Sequence, residues 1–420
     1  MSETPPTLRR LLLIAYFFPP LGGVGAQRPV KLIKYLSRLG WQVDVLTVQE
    51  DIDYIHDDGF FDDLPTGTRI FRAPCVDTHR LQKTLSRLKP GFVRKLAHQL
   101  FSLAMLPDFA WTWWLPGLMK ALQLGPYDAV LSTSPPYTAH LIALGLRWLK
   151  GVHWVADFRD GWTRNPYQKY PTPVHRWLHA RLERAVLRCA GIVTVCTPDI
   201  RQQFLVDHPG LEAKIRLITN GYDPEIFTGD QPAPRNQRFV MTYTGSFYGM
   251  RSPEYFYQGL QQALDCGALK ADQTELRLLG RMGKKYFDYP GLTMAHPGYI
   301  PNREAVRHIL ESDLLLLIEP SAGAYTGKVF DYIGSGRPIL AMIPEGSILE
   351  PLLLQSPQAT IVRFNDPEAI RQAICNAYQA WEQSSAAQIQ EKQPLCDWRH
   401  AYRRDVTAAQ MHETLLSLSH

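Results

Sequence analysis

Apolar residues fall along this chain in short unbroken runs, each followed by a segment of helical period. Leu11 to Tyr16 is continuously apolar, the pattern of a strand buried on both faces of a parallel sheet. A Pro/Gly loop follows, and Ala26, Val30, Ile33 and Leu36 then recur at helical spacing until Gly40. Val43–Val48 reads as a second strand, so the chain opens on a βαβ unit. Further strands are predicted at Ala129–Ser132, Trp154–Ala156 and Ile192–Val195, with a helix between the last two carrying Val174, Trp177, Leu178, Leu182 and Ala185 on one stripe. A second alternating set begins after the turn Asn220-Gly221-Tyr222-Asp223. Its strands are predicted at Phe239–Thr244, Glu275–Leu279, Thr293–Ala295, Leu314–Ile318, Pro338–Ala341 and Thr360–Arg363. The Pro-rich stretch Asp230–Arg238 reads as a hinge. The pattern predicts an α/β protein of two Rossmann-like domains facing a central cleft.

Composition narrows the picture. The 420 residues are 45% apolar and 20% charged, which excludes wholesale disorder. No apolar run reaches 18 residues, so no transmembrane helix is expected. Leu11–Phe18 is preceded only by Arg9 and Arg10 and followed by no small-residue cleavage site, which predicts a cytoplasmic protein. The net charge of +5 suits an anionic small molecule or lipid surface and is too weak to argue for nucleic acid. Six irregularly spaced cysteines without a CxxC pair read as reduced thiols.

Three strand-to-helix turns carry candidate chemistry. Pro19-Pro20-Leu21-Gly22-Gly23-Val24-Gly25 lets a backbone approach a ligand at a helix N-terminus. Its Gly23-x-Gly25-x-x-Arg28 lacks the third glycine of a dinucleotide fingerprint, and Glu50 is the residue a ribose-binding acid would need. In the second turn Gly245, Ser246 and Gly249 precede Arg251, and N–H groups with a forked guanidinium suit a diphosphate. In the third, Thr326-Gly327-Lys328 opens a helix with Asp331 one turn on, either a phosphate-and-hydroxyl pair or a surface ion pair. Ser134 to His140 and Asp157-Phe158-Arg159-Asp160 follow strands on the N-terminal side. His140 there is a candidate sugar contact or a core residue, and Asp157 and Asp160 are acceptor contacts, or else an Asp–Arg brace or helix N-cap. Asp51-Ile52-Asp53 fits a DxD metal signature but sits in an acidic loop past the second strand, so no metal site is expected.

Taken in order, Phe17 to Gly25, Asp157-Phe-Arg-Asp-Gly-Trp162, Asn220-Gly-Tyr-Asp223, Tyr243-Thr-Gly-Ser246 and Gly327-Lys-Val-Phe-Asp-Tyr332 resemble a family 4 retaining glycosyltransferase of the GT-B fold, in the branch that builds bacterial surface polysaccharides. The resemblance runs over nearly the whole chain. It implies an acceptor-binding domain over 1–222, a nucleotide-sugar-binding domain over 223–397, and a crossover helix over 398–420 packing back on the first domain. It implies a sugar transferred from a nucleotide-sugar to a glycan or lipid-linked acceptor, with retention and without a metal or other cofactor. By position, Arg251 and Lys328 match the basic pair on the diphosphate, and Asp331 matches the second glutamate of the paired motif on the donor ribose. Gly245, Ser246 and Tyr299, in Pro297-Gly-Tyr-Ile300, would line the donor, while Gly22, Gly23, His140 and Asp157 would meet the acceptor and Asp160 would orient its hydroxyl. Gly323 stands where the first glutamate belongs, and Glu319 is too far along to replace it simply.

Two rivals share the architecture: a sugar-nucleotide 2-epimerase, turning over donor without acceptor, and a non-catalytic partner subunit that binds donor only. Residues 78–107 hold six Lys or Arg and no acid among Leu and Phe, with Trp111, Trp113 and Trp114 close behind. That composition fits an anionic membrane surface, or else a solvated helical face.

Overall fold

The computed structural model describes residues 8–87, 89–165, 168, 170–227, 236–247, 249–283, 286, 292–323, 325–383 and 397–419. Most of the expected hinge Asp230–Arg238 lies outside these residues, as do Tyr248 and Cys396. The chain divides into two compact units, Met1–Thr219 with Thr407–His420, and Asn220–Val406.

The first unit holds seven parallel strands: β1 (Arg9–Ile14), β2 (Trp41–Val48), β3 (Arg69–Ala73), β4 (Ala129–Ser134), β5 (Trp154–Phe158), β6 (Ile192–Val195) and β7 (Ile215–Leu217). Their order is β3-β2-β1-β4-β5-β6-β7. Leu11 of β1 faces Val43 on one side and Ala129 on the other, and Leu11–Ile14 are buried throughout. A central strand covered on both faces has no polar side, which is why the run reads as unbroken. Each such side chain contributes about 1.5–3 kcal/mol by leaving water. The helices are α1 (Val24–Arg38), α2 (Thr78–Ser86), α3 (Gly91–Ala104), α4 (Trp114–Gln123), α5 (Thr138–Lys150), α6 (Pro173–Cys189) and α7 (Pro198–Asp207). Two begin on the same local device. Thr172 and Thr197 cap α6 and α7 by accepting from His175 N and Ile200 N, and a proline stands next in each case. The cap satisfies an orphan N–H, and proline needs none there.

The second unit holds six parallel strands: β8 (Phe239–Thr244), β9 (Thr274–Leu279), β10 (Thr293–Gly298), β11 (Leu314–Ile318), β12 (Ile339–Ile343) and β13 (Ala359–Arg363). Their order is β10-β9-β8-β11-β12-β13. Its helices are α8 (Glu254–Asp265), α9 (Asn302–Leu310), α10 (Lys328–Ser335), α11 (Glu350–Leu353), α12 (Pro367–Gln383) and α13 (Asp397–His400). Gly336, at φ +68°, ends α10 in the left-handed conformation glycine tolerates.

A last helix, α14 (Arg404–Leu416), carries Ala408, Met411 and Leu415 into the core of the first unit beside Leu11, Leu13 and Trp41. Trp398 and Tyr402 instead pack with Phe330 and Tyr332 of the second unit. The five described cysteines are free thiols. Among the described residues no helix is long and apolar enough to cross a membrane.

Candidate functional site

In an open parallel sheet, ligands gather at the carboxyl ends of the strands where the strand order reverses. In the second unit that point lies between β8 and β11. Past Thr244 the chain turns through Gly245 at φ +122°, a conformation closed to most side chains. Gly245 N donates to Leu279 O at 2.8 Å, and Gly280 N donates to Gly298 O at 2.8 Å. A Cβ at Gly280 would stand 2.0 Å from Gly245 O. The loops after β8, β9 and β10 are therefore stacked backbone on backbone, with Ser246 and Tyr299 partly exposed beside them.

Lys328 opens α10 on this rim. Its Nζ donates to Thr244 O at 3.0 Å and lies 3.8 Å from the centre of the Tyr243 ring. Burial holds the ammonium well below the usual lysine range; Arg251 adds to this, and Glu319 opposes it. The Tyr332 hydroxyl accepts from Thr244 N at 3.0 Å and donates to Leu316 O at 3.3 Å, tying β8, α10 and β11 together. Arg251 donates from Nη2 to Glu319, which sits buried just past β11. Sequence reasoning found both cations and missed their partner: Glu319 is the counter-ion of Arg251. Asp331 lies one turn past Lys328 and is partly exposed. Gly323 is exposed, and a Cβ there would meet nothing within 4 Å. Space therefore does not explain the missing glutamate. Two cations, one carboxylate and an open glycine turn meet at this rim, a combination whose chemistry suits an anionic group.

In the first unit the order reverses between β1 and β4. Gly23, at φ +79°, precedes α1, and Gly22 N donates to Ile55 O at 2.7 Å. A Cβ at Gly25 would press to 2.9 Å on the Phe17 ring, so this glycine serves packing. Arg159 fastens three loops. It donates to Gly25 O at 2.6 Å, Ser134 O at 2.9 Å and Pro135 O at 2.7 Å. Beside it, Asp160 is solvent-accessible in crowded surroundings, which push its carboxyl above the usual range while Arg159 pulls it down.

Two expected acceptor contacts are corrected by their surroundings. Asp157 is wholly buried and accepts from Arg28 Nε and Nη2, Thr133 and Thr194 at 2.7–2.9 Å. Arg28 also donates to Ile218 O and Thr219 O. Both carboxylate oxygens are committed, so Asp157 braces the sheet. His140 is fully buried as well. Its Nδ1 meets Ser132 Oγ at 2.7 Å and its ring lies 4.3 Å from Phe158. Burial drives its pKa to about 3, so it is a neutral residue of the core. The partner of Asp157 is not the neighbouring Arg159 but Arg28, a cation whose burial, invisible in the sequence, requires a buried acid.

The other acids noted in the sequence are paired. Glu50 meets Arg72 at 2.9 Å, Asp51 meets Arg80 at 2.5 Å, and Asp53 meets Lys83. Among the described residues no cluster of three His, Cys, Asp or Glu side chains is placed to hold a metal.

Residues 22–221 match the family model described as Glycosyl transferase 4-like domain. No curated protein matches the sequence. The structure is similar to sucrose-phosphate synthase from Thermosynechococcus elongatus, at 16% identity and a TM-score of 0.60 over 98% of this chain and 99% of that one. It is similar to Anabaena Alr3699/HepE in complex with UDP and glucose, at 13% identity and 0.63 over 97% and 100%. It is also similar to the N-terminal domain of a Candida albicans trehalose-6-phosphate phosphatase, at 13% and 0.66 over 100% and 99%. The chain thus has the two-domain GT-B fold, and its residues 22–221 are similar to a Glycosyl transferase 4-like domain.

Proposed function

We propose that this protein transfers a sugar from a nucleotide-sugar to a glycan or lipid-linked acceptor in cell-surface polysaccharide synthesis. The observation that carries this reading is the pair Arg251 and Lys328 at the β8–β11 switch point, above the open turn at Gly245. A nucleoside diphosphate leaves with growing negative charge, and preorganised cations stabilise that charge as the glycosidic bond breaks. The similarity to a structure holding UDP and glucose supports such a donor.

In this reading Arg251 and Lys328 meet the diphosphate, Gly245 and Ser246 offer backbone, Tyr299 lies toward the base, and Asp331 takes ribose hydroxyls. Gly22 and Gly23 border the acceptor, and Asp160 orients its hydroxyl. Transfer proceeds with retention: the acceptor oxygen attacks on the face the phosphate leaves, and its proton passes to that phosphate. The cations do the work a metal would otherwise do, so activity is expected to survive EDTA.

A thermal-shift screen against nucleoside diphosphates and their sugars tests this. A ligand at 100 times its dissociation constant stabilises the folded state by about 2.7 kcal/mol. No shift with any diphosphate overturns the donor site. Turnover of nucleotide-sugar without acceptor replaces transfer by epimerisation.

A further inference from the structure

Helices α4, α5 and α6 pack Leu118, Ile142 and Val186 into one core cluster of the first unit. Their outer side carries exposed apolar side chains among its cations. Leu103, Trp111, Trp114, Leu115, Val174 and Trp177 are 42, 39, 43, 54, 62 and 55% exposed. A single exposed apolar residue needs no explanation, but a connected row does. Three contacts connect it. His175 Nε2 lies 3.0 Å from Leu103 O, joining α6 to α3. Asp108, between α3 and α4, accepts from Thr138 N and Oγ1 at the head of α5. Trp114 Nε1 donates to Leu141 O, joining α4 to α5. The row thus runs from the head of α6 across the head of α5 to α4. These helix heads stand at the carboxyl end of the parallel sheet, the end that carries the loops fastened by Arg159.

Charge selects the occupant. Helices α2–α6 carry eleven Lys or Arg and a single carboxylate, Glu183. Glu183 is buried, with Thr163 and His208 as partners. Arg80 and Lys83 of α2 are paired with Asp51 and Asp53, and Arg147 and Lys150 donate to backbone carbonyls at the tail of α5, so the cations beside the row are those of α6. Arg176 is exposed, and the Arg181 guanidinium lies 5.0 Å over the Trp177 ring. A second copy of this face would set cation against cation. A bilayer with anionic headgroups matches both halves of the surface, because tryptophan settles at the headgroup level and cations meet the phosphates.

We propose that the row from Trp177 to Leu115 docks the first unit onto an anionic lipid bilayer. The proposal extends the lipid-linked alternative for the acceptor but rests on this surface alone. The test is co-sedimentation with phosphatidylcholine vesicles and with phosphatidylcholine–phosphatidylglycerol vesicles. The full chain is expected to bind only the anionic vesicles, less as salt rises, with a blue shift of tryptophan emission. Leu115→Ser with Trp177→Ser, and separately Arg176→Ser with Arg181→Ser, should each weaken binding about tenfold or more. Val206→Ser, exposed on α7 and outside the row, should change nothing. Circular dichroism and nucleoside diphosphate binding should stay unchanged in all variants, which separates this proposal from the donor assignment. No binding at low salt overturns it, as does equal binding to neutral vesicles or binding that survives Leu115→Ser with Trp177→Ser. Self-association abolished by the same variants assigns the row to a second copy and also overturns it.

Discussion

Arg28 and Asp157, on α1 and β5, form a two-point ion pair at 2.8 and 2.9 Å in the interior of the first unit. The acid is held below the usual carboxylate range by Arg28, Thr194 and Thr133 against the opposing effect of burial. Removing one partner strands the other charge in a dry core. Asp157→Ala is expected to destabilise the first unit by about 3–5 kcal/mol, and Arg28→Met by a similar amount. Urea unfolding measures both, and a loss below about 1 kcal/mol in each would refute the brace.

Lys328 makes the clearest prediction for ligand binding. Lys328→Ala should cost about 1.5–3 kcal/mol toward a nucleoside diphosphate, roughly tenfold to 150-fold, and nothing toward the nucleoside. Equal losses would remove Lys328 from the phosphate. The pH dependence follows from the ammonium's surroundings. In the free site its pKa is lowered, chiefly by burial, and a bound diphosphate raises it again. Binding then takes up a proton, and affinity falls as pH rises above the lowered value toward the ordinary 10.5. Calorimetry in buffers of different ionisation enthalpy should register that uptake in the wild type and lose it in Lys328→Ala.

His140 predicts an acid sensitivity. Its folded pKa, about 3, lies below the ordinary 6.5, so the unfolded chain binds its proton first as pH falls. Stability should be level with respect to this group above about pH 6.5, then fall toward pH 3 by up to about 1.4 kcal/mol per unit. His179, lowered to about 4 chiefly by burial, adds a second slope of the same sign. In His140→Gln, where the amide can still meet Ser132, the loss between pH 7 and 5 should shrink. Equal slopes for both proteins would show that His140 does not carry it.

How much of this was legible beforehand varies with burial. The central strands β1 and β11 were readable because a strand covered on both faces leaves an unbroken apolar run. β3 and β7 were missed. Arg69–Ala73 puts two arginines into a half-exposed edge strand, and Ile215–Leu217 has too few residues to show a period. The turn at Gly245 and the helix start at Lys328 were readable because small residues and a cation stand where a strand ends and a helix begins. The acceptor side was less so. Asp157 and Asp160 look alike in sequence, yet one is sealed under Arg28 and the other open to solvent. Glu319 was set aside by its distance from Asp331 along the chain, and only folding brings it onto Arg251.

The C-terminal helix supplies the last prediction. Ala408, Met411 and Leu415 of α14 lie in the core that β1, β2 and α1 form in the first unit. His412 Nδ1 accepts from Trp41 Nε1 at 2.9 Å, and Thr414 Oγ1 accepts from Arg216 at 3.2 Å. A segment more than 180 residues beyond Thr219 thus completes the core of a unit laid down at the start of the chain. Deleting 407–420 should therefore loosen the first unit while sparing the second, whose packing with Trp398 and Tyr402 remains. Met411→Ala alone should cost about 2–5 kcal/mol, the range for emptying a buried apolar site. Hydrogen exchange separates the outcomes. Protection should fall in β1, β2 and α1 for both variants and hold in β8 and β11. Loss of protection confined to the second unit would show that α14 belongs there instead.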